Sequence, residues 1–157
     1  MVHGPAAAQS SAPEIELKFS AFFRQPIGPR GLELSDALRS AHGQRVRLVG
    51  YMVVEEQPTP GSFLLTPRPV RMSEHADGDA DDLPPATVTV HLAELQREHV
   101  VRHRDGLVSV SGRLDVGRFE ERSGRVSWVR LMLDPDAVAQ PQAALPDPTH
   151  DKPLKAP

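Results

Sequence analysis

A chain of 157 residues fits a single domain. Its net charge of −3 lacks the basic signature that a non-specific DNA binder usually carries. The absence of cysteine excludes disulfides, thiolate nucleophiles and cysteine-ligated zinc.

Aromatic residues make up 4 % of the chain, few for a platform that stacks single-stranded bases. No apolar run is long enough to span a bilayer. The N-terminus has neither the basic start nor the apolar stretch of a signal peptide. A complete gene product is therefore expected in the cytoplasm. A trimmed mature chain would have lost an export signal and would sit in the periplasm or outside.

Residues 1–13 are rich in Ala, Ser and Pro and are expected to be a disordered tail. Ile15, Leu17 and Phe19 alternate with polar neighbours, the period of a half-buried strand that Phe22 and Phe23 extend. Pro26, Gly28, Pro29 and Gly31 break it. Leu34, Ala37, Leu38 and Ala41 form one face of a short helix, with Ser35 as its N-cap and Gly43 as its stop. That stripe is expected to cover Val49, Tyr51 or Val53 on the next strand.

Residues 44–55 form the central strand. Val46, Leu48, Met52 and Val54 share one face, with Gly50 marking a bend among them. A proline-bearing turn leads to a second strand at 61–66. Loop 67–85 follows, long for a compact domain. Val88, Val90 and Leu92 point inward from a third strand at 86–92. Residues 93–99 have room for a turn or two of helix. Val108, Val110, Leu114 and Val116 line a fourth strand at 107–117, with Gly112 among them. The closing strand spans 126–133, and its Trp128 is expected in or half in the core. Residues 137–157 are Pro- and Ala-rich tail.

These elements predict a mainly β domain over residues 14–136. Their order and lengths predict a five-stranded OB-like barrel with an N-terminal strand and helix extension. A sandwich satisfies the same strand count.

The segments Gly43-x-x-Val46-x-Leu48-x-Gly50-Tyr51-Met52-Val53-x-Glu55, Phe63-Leu64-Leu65 and Pro84-Pro85 resemble a family of uncharacterised small bacterial proteins. The family pattern is G-x-V-x-I-x-G-[FY]-M-V-P-L-E, then F-L-L, a Cys-x-His turn and a proline run. Members are often exported or lipid-anchored, and the resemblance spans roughly residues 31 to 116. It implies the barrel. Val54 stands where the family favours proline, and Pro67–Met72 replaces the Cys-x-His turn. Any chemistry run through that cysteine is therefore not available to this chain.

Two clusters are candidate sites. Arg97, His99, Arg102, His103 and Arg104, with Tyr51 as a stacking surface, offer a groove to single-stranded nucleic acid or an acidic partner. Interleaved Glu94, Glu98 and Asp105 favour the plainer expectation of a neutral, mixed surface. In the long loop, His75, Asp77 and Asp79 offer ligands to a divalent metal. The spacing fits no calcium loop, and a solvated acidic run is the plainer expectation. No G-x-S-x-G elbow, phosphate loop or H-E-x-x-H is present, so neither catalysis nor a cofactor is expected. The sequence points to a non-catalytic accessory module that holds a protein partner. A nucleic-acid binder is the alternative, and a metal-handling protein the third.

Overall fold

The structure, a computed structural model, describes residues 13–72 and 83–134. It is mainly β. Strands β1 (Ile15–Glu16), β2 (Arg45–Met52), β3 (Val54–Glu55), β4 (Ser62–Thr66), β5 (Arg71–Met72), β6 (Val88–His91), β7 (Leu107–Glu120) and β8 (Val126–Leu133) account for most of the regular structure. One short helix, α1 (Asp36–Ser40), and two 3-10 turns complete it.

A six-stranded sheet runs in the order β1-β2-β4-β6-β8-β7, and a short β3-β5 pair lies beside it. The long partner of β2 is β7, antiparallel from Arg45↔Arg113 to Tyr51↔Leu107. At its far end β2 also pairs with β4, through Tyr51↔Thr66 and Met52↔Leu65. The β6-β8 pair is parallel, whereas β4-β6 and β7-β8 are antiparallel.

Alternation explains the core. Val46, Leu48, Val88, Val90, Leu114 and Leu131 are wholly buried, each on the inward phase of its strand. Gly50 shares that phase and makes room. A β-carbon placed there would lie 2.7 Å from Phe19 Cε2 and from the Thr66 carbonyl oxygen. Phe19 packs in turn on Phe22, with ring centroids 5.1 Å apart.

The N-terminal strand is shorter than its alternation predicts. Only Ile15 and Glu16 join the ladder, parallel to Val46 and Arg47. Leu17 N–H still donates to the Arg47 carbonyl, and the chain then tightens into a 3-10 turn at Phe19–Ala21. Phe22 is thus buried from a turn, not from a strand.

Helix α1 forms where its capping residues place it. The Ser35 side chain accepts from Leu38 N–H, and Gly43 turns the chain out at φ +77°. Its apolar side does not cover Val49, which remains 36 % exposed. The reason is position along the strand. The chain after α1 ties to Leu114 through Gly43 N–H, and His42 Nδ1 accepts from Val116 N–H. That is the Arg45 end of β2, whereas Tyr51 pairs with Leu107 at the other end.

Two further expectations need correction. The central strand is interrupted at Val53, whose N–H turns to the Leu64 carbonyl. Trp128 is 53 % exposed, because the buried phase of β8 is Ser127, Val129, Leu131 and Leu133. Among the described residues, no helix is long and apolar enough to cross a membrane.

Candidate functional site

The strongest candidate is a cleft of about 270 Å³ on the outward side of β4 and β6. Its floor is set by two cross-strand pairs, Ser62↔His91 and Leu64↔Thr89. Leu64 is 5 % exposed yet lies outside the core cluster. It lines the cleft together with the turn that joins β7 to β8.

That turn forms one wall. Glu121 N–H donates to the Arg125 carbonyl at 2.8 Å, and Gly124 N–H donates back to Glu121 at 2.8 Å. Gly124 adopts φ +89°, a region that only glycine enters cheaply. The opposite wall is Thr59–Gly61 with Glu94 and Arg97. Gly61 is clasped there: its N–H donates to the His99 carbonyl, and its own carbonyl accepts from Leu92 N–H. A β-carbon on Gly61 would overlap the Arg97 carbonyl oxygen, at a φ of +82°.

The polar groups of the cleft are unevenly satisfied. Thr89 and Ser127 hydroxyls share a buried hydrogen bond of 2.7 Å beneath the floor. Arg97 is held by Glu94 at 3.1 Å and Glu98 at 3.7 Å. His91 Nε2 stands 3.0 Å from Glu121 Oε2, within ion-pair reach but outside hydrogen-bond alignment. Glu121 Oε1 is buried and has no hydrogen-bond partner.

The predicted basic cluster is divided by the fold. Arg97 belongs to this cleft. Tyr51, His103 and Arg104 line a separate hollow of about 250 Å³ with Met52, Val54 and Val70. His103 Nε2 lies 3.1 Å from the Met52 carbonyl, and its Nδ1 lies 3.7 Å from Asp105. Arg102 is exposed and lines neither. The candidate metal residues His75, Asp77 and Asp79 lie outside the described residues. Among the described residues, no three His, Asp or Glu side chains converge to hold a metal. Sequence patterning did not single out His91 or Glu121, because each is one polar residue in an otherwise ordinary segment.

No protein-family model and no curated protein matches the chain. Among solved structures, it is similar to a DUF3299 family protein from Pseudomonas aeruginosa PAO1. The two are 16 % identical with a TM-score of 0.48, and the match covers 78 % of this chain and 93 % of that one.

Proposed function

We propose that this protein is a non-catalytic binding module that holds an extended segment of a partner protein in the β4–β6 cleft. The strand pairing supports an OB-like barrel beneath that cleft. From β2 the ladder runs through β4, β6, β8 and β7 and meets β2 again. In such barrels the face of the second and third strands, with the loops beside it, is where ligands bind. Here those strands are β4 and β6, and those loops are 56–61 and 121–125.

The observation that carries the reading is the chemistry of the cleft. Leu64 and Met132 supply apolar lining, while Glu55, Glu94, Glu121, Arg97, Arg122 and Arg125 supply both charge signs. A peptide offers both kinds of contact. A single-stranded nucleic acid asks for a basic groove and exposed rings. Phe63, the one ring in the lining, is 8 % exposed and offers no stacking face.

The test is a selection of random octapeptides displayed against the full chain. Ser62→Trp, which fills the cleft floor, serves as the counter-target. Selected peptides are expected to bind Ser62→Trp roughly tenfold more weakly, a loss of about 1.4 kcal/mol. Equal binding to both proteins would remove the cleft from consideration.

A second reading is favoured by the hollow that gathers Tyr51, His103 and Arg104. It is a single-stranded nucleic-acid site with Arg102 at its margin. It predicts that oligothymidine binds with a steep salt dependence and is released by Arg102→Glu with Arg104→Glu. No retention at low salt would end it.

A further inference from the structure

We infer that the segment held in the β4–β6 cleft presents a lysine side chain to Glu121. This rests on the peptide-binding reading and deepens it. The Glu121 side chain is only 10 % exposed. One of its oxygens faces His91 at 3.0 Å, and the other is buried without a hydrogen-bond partner. A buried carboxylate oxygen left unpaired is costly, and native structures keep few of them. A ligand that satisfies it recovers that cost on binding.

A cation would complement Oε1, and among the described residues no lysine or arginine is paired with it. Arg97 is engaged by Glu94 and Glu98. Arg125 donates to Met72 Sδ at 3.7 Å. Arg122 is exposed and makes no ion pair with Glu121 among the described residues. A charge-assisted hydrogen bond is about twice as strong as a neutral one, so an ammonium suits Oε1 better than a hydroxyl or an amide.

The geometry also favours lysine over arginine. A guanidinium grips a carboxylate through both oxygens, and here Oε2 already faces His91. A compact ammonium needs only Oε1. The four-carbon stem of lysine would lie along Leu64 and Met132 on the cleft lining. Access to Oε1 requires the side chain or the turn to move. The turn is suited to this, since Arg122, Ser123 and Gly124 are all exposed.

The experiment is a titration of the ¹⁵N-labelled full chain with four blocked tripeptides, acetyl-Gly-X-Gly-amide, where X is lysine, norleucine, arginine or glutamate. Norleucine keeps an aliphatic stem and lacks the charge. The lysine peptide is expected to shift the amides of His91 and Glu121–Arg125 saturably, with roughly tenfold tighter binding than the norleucine peptide. Glu121→Gln is expected to abolish that preference. Equal shifts from all four peptides would overturn the lysine assignment and leave peptide docking standing. A lysine preference that survives Glu121→Gln would also overturn it. If no peptide moves these amides, both readings fall. The lysine-to-norleucine comparison uses the unaltered chain, so a misfolded variant does not remove the test.

Discussion

Replacing Gly112 with alanine should destabilise the domain although it adds only a single methyl. Gly112 is paired on both sides, with Val46 on β2 and with Leu133 on β8. A β-carbon there would overlap the Met132 carbonyl oxygen and lie 2.8 Å from the Met132 carbonyl carbon and 3.0 Å from Leu133 Cα. All three are backbone atoms, so no side-chain rotation relieves the contact. Strand β8 must move away from β7. Overpacking of this kind costs about 1–3 kcal/mol. Each ladder hydrogen bond weakened by the shift adds roughly 1 kcal/mol. A total of about 2–5 kcal/mol is a large part of the roughly 5–15 kcal/mol that holds a domain folded. At about 3–6 °C per kcal/mol, the melting temperature should fall by roughly 6–30 °C. Thermal unfolding followed by circular dichroism measures this directly. Gly28→Ala is the control, because no atom lies within 4 Å of a β-carbon placed there. A Gly112→Ala melt within about 2 °C of the parent would refute the close approach of β7 and β8.

Ser127→Ala should cost about 1–3 kcal/mol, because it strands the Thr89 hydroxyl under the cleft floor. Adding Thr89→Val should recover part of that loss, which a double-mutant cycle in urea would read. Trp128→Ser should change stability by no more than about 0.5 kcal/mol, given the side chain's exposure. A larger loss in urea titration would mean that Trp128 packs against something.

The strand faces were legible because alternation is a local signal. Val88, Val90 and Leu92 are buried as their spacing predicts, and so are Val108, Val110 and Leu114. The helix start was legible because Ser35 carries its own capping chemistry. The placement of α1 was not, since a short helix can fold back at either end of the strand it precedes. Here hydrogen bonds from Gly43 and to His42 decide the end. The basic cluster is divided for a related reason. Arg97 and His103 are six positions apart, but the backbone between them is pinned in two directions. The His99 carbonyl is tied to Gly61 on one side, and His103 reaches the Met52 carbonyl on the other. Proximity in sequence was undone by two bonds to distant strands.

The cleft left one trace in the sequence. A strand with one wet face carries apolar residues at every second position. Phe63, Leu64 and Leu65 are consecutive, so β4 must be covered on both sides. Phe63 and Leu65 satisfy the core, which leaves Leu64 needing a cover of its own. Five strands in order do not say what that cover is. A polar reversal lies between two long strands, β7 and β8. These run past the core, and their turn returns Glu121 to His91. Beside Leu64 the cleft holds a carboxylate only 10 % exposed, with one oxygen 3.0 Å from His91 and the other buried without a hydrogen-bond partner. The same cleft that holds a buried apolar side chain thus also holds a carboxylate oxygen without a partner, and on the proposed reading that residual demand would set its preference among ligands.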